Sequence, residues 1–253
     1  MSKFDGTVKS DFDQEIESKL EALFQDFMLS PLDVLKHFPV FSRRQALKRF
    51  LAHAELFRMS MDLPGDIVEL GVFRGLGLLT WANLLEAYCM GNRTKTVYGF
   101  DNWRGFEAIV DEDGPTDERM HKIVGGYSPA DHRRALERAI EIFDSDRFIP
   151  QKPRIKLIDG DISESVPEFV NANPGIRISL VHFDCDVYQP TYAALQALWP
   201  RVVRGGIVLF DEYAIKEWPG ETRAVDEFMA VHPNLRLKTL KWTNSPAALL
   251  TKP

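Results

Sequence analysis

From Asp66 onward, short apolar runs alternate with stretches of helical periodicity, and that alternation restricts the fold more than any other feature of the chain. Residues 66–70, 96–100, 154–158, 178–183 and 206–210 read as strands, and residues 78–88, 133–143, 166–171, 190–198 and 222–231 as helices. Strands that each return through a helix lie parallel, joined by right-handed crossovers. The ending differs. Residues 235–240 and 247–250 are separated only by Lys241-Trp242-Thr243-Asn244-Ser245-Pro246, a turn-rich stretch, so these two runs are expected to pair antiparallel. The expectation is an α/β protein with a seven-stranded, mostly parallel sheet and a C-terminal antiparallel hairpin.

Ahead of the sheet, Phe12, Ile16, Leu20, Leu23, Phe24 and Phe27 recur at helical spacing, with Ser10 as the cap and Pro31 as the stop. A second helix is expected from Ser42, whose spacing to Gln45 fits a capping box. Residues 1–62 are therefore read as an N-terminal helical extension and residues 63–253 as the main domain. Residues 102–132, which include Gly105, Gly114, Pro115, Gly125 and Gly126, are too many for a plain connection and read as a lid. The amphipathic N-terminal helices suit either a lid or the surface of a homo-oligomer.

Composition narrows the function. The 253 residues, 45% hydrophobic and 27% charged, suffice for a sizeable core. A net charge of −6 argues against a nucleic-acid or anionic-membrane partner, since phosphate binding relies on clustered Lys and Arg. No run of about 18 apolar residues occurs, so no membrane span is expected. Residues 1–13 lack the basic-then-apolar pattern of a signal peptide, and Cys89 and Cys185 fit reduced thiols. The expected location is the cytoplasm, and the expected partner a small molecule.

The first strand runs into Glu69-Leu70-Gly71-Val72-Phe73-Arg74-Gly75 and then into a helix. Glycines at such a turn let backbone approach a ligand, and the helix start offers unpaired N–H groups. A pyrophosphate fingerprint has one residue between its first two glycines, whereas Gly71 and Gly75 have three. Glu69 would repel a pyrophosphate but suits the methionyl end of S-adenosylmethionine, and the pattern resembles motif I of class I methyltransferases. Asp101 ends the second strand, where a carboxylate can accept from both ribose hydroxyls or cap a loop. Gly160 and Asp161 follow the third strand, where the adenine would lie; Asp161 either accepts from the exocyclic amine or caps the next turn.

Two later strands end in paired acids: Phe183-Asp184-Cys185-Asp186-Val187-Tyr188 and Phe210-Asp211-Glu212-Tyr213. Ligands of open parallel sheets bind beyond the strands' carboxyl ends, so these four acids converge on one crevice. Their mutual repulsion calls for a cation, and an all-oxygen set suits magnesium rather than zinc. His182, inside the strand, reads as a packed or hydrogen-bonded sheet residue.

The run Asp184-Cys-Asp186-Val-Tyr188-Gln-Pro190-Thr191, then Gly205-Gly206, Asp211-Glu212-Tyr213 and Arg223-Ala-Val-Asp226-Glu-Phe228, resembles the TylF/MycF family of natural-product O-methyltransferases. The resemblance implies a Rossmann-like class I methyltransferase fold and methyl transfer from S-adenosylmethionine to a hydroxyl, most often of a macrolide sugar. It further implies metal ligands at Asp184, Asp211 and Glu212 and a general base at Asp186. Glu212 departs from the family, which usually has aspartate there. A phenolic acceptor, a nicotinamide-dependent oxidoreductase and a non-catalytic adenosyl-ligand binding protein are the alternatives.

Overall fold

The structure is a computed structural model that describes residues 8–129 and 132–253. The first seven residues of the expected extension, and Ala130 and Asp131 of the expected lid, lie outside them. Helices α1 (Asp11–Asp26), α2 (Pro31–Lys36), α3 (Phe38–Phe41) and α4 (Arg44–Ser60) precede the sheet. Ser10 caps α1 as expected: its hydroxyl accepts from the Asp13 N–H at 3.2 Å, and the Asp13 carboxylate accepts from the Ser10 N–H at 3.1 Å. Pro31 opens α2 at its first position instead of closing α1. The Ser42–Gln45 box does not form. The short turn of α3 takes up the Ser42 N–H, which donates to the Phe38 carbonyl at 2.7 Å, and Arg43 becomes the N-cap of α4.

The alternation then runs β1 (Asp66–Leu70), α5 (Leu76–Cys89), β2 (Val97–Asp101), α6 (His132–Asp146), β3 (Ile155–Asp159), α7 (Ile162–Ala172), β4 (Ile178–Phe183), α8 (Tyr188–Leu198), β5 (Val202–Phe210), α9 (Pro219–Ala230) and β6 (Ala248–Thr251). Strand order is β3-β2-β1-β4-β5-β6, with β6 antiparallel to β5 and every other pair parallel. The described sheet has six strands, not the seven expected. Residues 235–240 contribute one antiparallel bridge, Lys238 to Leu249. Leu235 is drawn into a turn by its N–H to the His232 carbonyl and buried in the core, so too little of the segment is extended to pair.

Side chains alternate between two apolar layers. Val68, Leu70, Val181, Phe183, Val208 and Phe210 face α7, α8 and α9. Ile67, Leu180, Ile207 and Leu209 face the other way, where Leu56 and Phe57 of α4 join Trp81 and Leu85 of α5. The last N-terminal helix thus belongs to the core layer over β1, β4 and β5. At roughly 25 cal/mol per Å² of apolar area removed from water, Leu56 and Phe57 alone contribute about 3–6 kcal/mol to docking it.

Strand register positions the site. Leu70 pairs with both Phe100 and Phe183, and Phe183 pairs with Phe210, so Gly71, Asp101, Asp184 and Asp211 leave the sheet at one level. The strand order reverses between β1 and β4, where crossovers leave in opposite directions and open a crevice. No helix among the described residues is long and apolar enough to cross a membrane.

Candidate active site

A cavity of about 430 Å³ opens over this edge. Gly71, Asp101 and Asp161 line one part of it, and Asp184, Asp186 and Glu212 another. Gly71 has φ +87°, and a Cβ there would lie 1.9 Å from the Asp184 carbonyl oxygen, so only glycine lets β1 and β4 end side by side. The carboxylate of Asp101 holds the glycine turn: Oδ2 accepts from the N–H groups of Val72 (2.9 Å) and Phe73 (2.8 Å), and Oδ1 from that of Trp103 (2.7 Å). Asp161 caps α7, accepting from the Ser163 N–H at 2.7 Å while lining the cavity. Gly160, at φ +128°, donates its N–H to the Asp101 carbonyl at 3.2 Å. Gly75 is the left-handed N-cap of α5.

Glu69 is placed elsewhere than the sequence reading put it. Its position on β1 faces the α4–α5 layer, it is 1% exposed, and it does not line the cavity. It lies under the first turn of α5, where a Cβ on Gly77 would come within 2.3 Å of its Oε2. There it meets His182, its register partner on β4: His182 Nδ1 is 3.2 Å from Glu69 Oε2 and Nε2 is 2.9 Å from Asp211 Oδ1. Burial opposes the imidazolium, but Asp211 and Glu69 outweigh it and push His182 up to about 10. The two acids favour the imidazolium form of the buried ring, and Trp81 Nε1 lies 3.4 Å from the same Nδ1 that faces Glu69.

A second cation comes from α4 and was not foreseen. Arg49 Nη2 donates to Asp184 Oδ2 at 2.7 Å and to Asp211 Oδ2 at 2.9 Å, and the guanidinium lines the cavity. One signal existed in the sequence: Arg49 falls on the helical stripe of Ala52, His53 and Leu56, which faces the core. Burial alone would raise Asp211, yet Arg49 and His182 hold its carboxyl below the usual range. Ser245 Oγ also donates to Asp211 Oδ2, at 2.9 Å, so both Asp211 oxygens are taken.

Of the remaining acids, Asp184 shares Arg49, while Asp186 and Glu212 have no cationic partner among the described residues. Asp184, Asp186 and Glu212 each bring a carboxylate oxygen within 4.8 Å of the others. Burial and then the charge of Asp184 push Asp186 up to about 8, and burial and then Asp211 push Asp184 up to about 6. Glu212 is driven well above its ordinary value by burial and by Asp186 and Glu221, and its Oε2 is buried with no hydrogen-bond partner. Glu221, fully buried at the start of α9, accepts from the Glu212 N–H at 2.8 Å and adds a further acid the sequence reading missed. Asp186 sits at φ +63°, with the Val187 N–H donating to the Cys185 carbonyl at 2.7 Å across it. That is a strained γ-turn, the kind of backbone that persists where a side chain must be aimed. Cys185 turns into the core, its Sγ 3.4 Å from Thr191 Oγ1.

These residues fit a hard divalent cation. In Asp184, Asp186 and Glu212 the donors are all oxygen, the acids of the site outnumber Arg49 and His182, and two buried carboxylate oxygens, Glu212 Oε2 and Glu221 Oε2, have no hydrogen-bond partner. Two groups of the described residues bring ligand atoms within 4.8 Å of one another, Asp184, Asp186 and Glu212, and His182, Asp184 and Asp211, with Asp184 common to both. Phe106, Tyr127 and Trp218 pack together over the cavity, with ring centroids 5.4 to 5.8 Å apart. Trp218, at the start of α9, was not anticipated; Trp103 turns away, its Nε1 donating to Asp159 at 2.8 Å.

The chain is similar to known proteins. The model of the family described as Macrocin-O-methyltransferase (TylF) matches residues 43–241. Mycinamicin III 3''-O-methyltransferase of Micromonospora griseorubida is 30% identical over 188 residues, 72% of this chain and 67% of that protein. Demethyldecarbamoylnovobiocin O-methyltransferase of Streptomyces niveus is 29% identical over 174 residues, 67% of this chain and 60% of that protein. Among solved structures, a calicheamicin methyltransferase superposes with a TM-score of 0.87 at 30% identity, covering 97% of this chain and 94% of that one.

Proposed function

The chain belongs to the macrocin O-methyltransferase (TylF) family, and from that premise we propose that it moves the methyl group of S-adenosylmethionine to a sugar hydroxyl of a natural product, with magnesium at the acidic cluster. Its relatives, O-methyltransferases of mycinamicin III and of demethyldecarbamoylnovobiocin, support the substrate class. Family membership removes the nicotinamide alternative. The observation that carries the reading is Asp186, held in a strained turn at the cavity with Asp184 and Glu212 beside it.

In this reading Gly71, Gly75, Asp101, Gly160 and Asp161 hold the cofactor, and Glu69 supports the glycine turn from beneath. Asp184 and Glu212, with Asp211 behind them, hold the metal. S-adenosylmethionine supplies a methyl group activated as a sulfonium, and the metal supplies charge that favours an alkoxide. Asp186 accepts the proton of the acceptor hydroxyl as the new O–C bond forms and the S–C bond breaks. A carboxylate pushed up to about 8 is a stronger base than an exposed one, provided it is ionised when the acceptor arrives. The aromatic group of Phe106, Tyr127 and Trp218 offers ring faces to a sugar and keeps water from the reacting atoms. Residues 63–253 are then the catalytic domain, 102–132 its lid and 1–62 the extension, and the enzyme works in the cytoplasm.

The test is turnover of a panel of glycosylated and phenolic acceptors, before and after chelation, with magnesium added back. Loss on chelation and recovery with magnesium is expected, with sugars preferred. Full activity in excess chelator refutes the metal role, and turnover of phenols alone moves the substrate class.

A further inference from the structure

Arg49 is tied by one nitrogen to two acids of the cluster, Asp184 at 2.7 Å and Asp211 at 2.9 Å. Its side chain is one-third exposed, and its Nε is buried without a partner, so the guanidinium is held by charge more than by complete hydrogen bonding. Asp211 needs it least, because His182 and Ser245 also donate to that carboxylate. Asp184 receives no other side-chain donor among the described residues, and it is the acid that Arg49 shares with the Asp186–Glu212 group.

We propose that Arg49 is a tethered cation that competes with the divalent metal for Asp184, so that metal enters only as the guanidinium gives way. The proposal rests on the metal reading above. Two positive charges cannot both lie against one carboxylate without mutual repulsion, which is strong at contact distances in a partly buried site. The competitor is built into α4, whose C-terminal half is fixed in the core by Leu56 and Phe57 while Phe50 and Leu51 remain exposed. Ala52 and His53, one turn beyond Arg49, are buried as well, so the helix backbone is held and it is the one-third-exposed guanidinium that yields, by a change of side-chain rotamer. Such a device keeps four crowded acids from repelling one another before metal arrives, and it makes affinity depend on the N-terminal helices.

Mn2+ alone is the probe, titrated into the full-length protein and followed by electron paramagnetic resonance and calorimetry. Arg49→Gln keeps the length and removes the charge; the expected result is at least a tenfold tighter Mn2+ dissociation constant. Arg49→Lys keeps the charge on a shorter side chain whose ammonium reaches the two acids less closely, and its affinity should lie between the two. A gain in affinity cannot come from a damaged fold, and S-adenosylhomocysteine binding checks the fold of each variant. Equal or weaker Mn2+ binding by Arg49→Gln overturns the competition and leaves the metal site standing, as does Arg49→Lys tightening as much as Arg49→Gln. Absence of Mn2+ binding in all three forms overturns both the competition and the metal site.

Discussion

Replacing Asp101 by alanine removes the acceptor of three backbone N–H groups, those of Val72, Phe73 and Trp103, at 2.9, 2.8 and 2.7 Å. A hydrogen bond to a charged group contributes about 1.5–3 kcal/mol net, and the shared carboxylate is itself raised by burial, so the sum lies nearer the lower bound. About 4 kcal/mol of destabilisation is expected, which for a chain this size lowers the melting temperature by roughly 8–16 °C. Denaturant unfolding measures it, and a change under about 1 kcal/mol refutes the clamp. The ribose role needs a separate measurement, because a loosened glycine turn weakens cofactor binding in any case. The 2′-deoxy analogue of S-adenosylhomocysteine supplies it. If Asp101 accepts from the ribose, wild type prefers the hydroxylated ligand by about tenfold and Asp101→Ala loses that preference. Equal preference in both proteins sinks the ribose assignment while leaving the clamp intact.

Asp186→Asn should lower kcat by about 100-fold or more with S-adenosylhomocysteine affinity unchanged in calorimetry, and a kcat within about threefold of wild type removes it as the base. Gly71→Ala forces a Cβ to 1.9 Å from the Asp184 carbonyl at φ +87°; a cost above roughly 4 kcal/mol is expected, and soluble protein of wild-type melting temperature would contradict the close approach. Stability of the metal-free protein should fall as pH rises. Asp184 and Asp186, held up to about 6 and 8, keep protons that the unfolded chain has released, and His182, held up to about 10, does the same above its ordinary value. Each contribution is complete below the unfolded value and lost through the folded one; Asp211, shifted downward, acts only in strong acid. Melting temperatures from pH 5.5 to 8.5 in chelated buffer should decline, and a flat or rising profile contradicts the acid cluster as drawn.

The parallel strands and their helices were legible because their signals are local: apolar runs of strand length, bounded by glycines and acids, alternating with helical stripes. The seventh strand failed for a non-local reason. Leu235 and Leu237 have the apolar spacing of a strand, but they spend it on the α9 side of the core, and only Lys238 reaches Leu249. Ser42 and Gln45 show the same limit at a helix end, since a proline-started turn upstream had already claimed the Ser42 N–H.

At the site, sequence tells which residues reach the strand ends but not which way they turn. Gly71, Asp101, Asp184 and Asp211 leave the sheet together because register puts them there, and that follows from strand assignment alone. Facing does not. Glu69 precedes the turn by two residues and so lies on the α4–α5 layer, where β4 sets His182 opposite it. His182 and Arg49 then divide Asp211 between them, each 2.9 Å away. Arg49 also pairs Asp184, so Asp186 and Glu212 are left without a cation, and the Oε2 of Glu212 is buried without a hydrogen bond. Glu212, one methylene longer than the aspartate usual in the family, brings its carboxylate within 4.8 Å of those of Asp184 and Asp186.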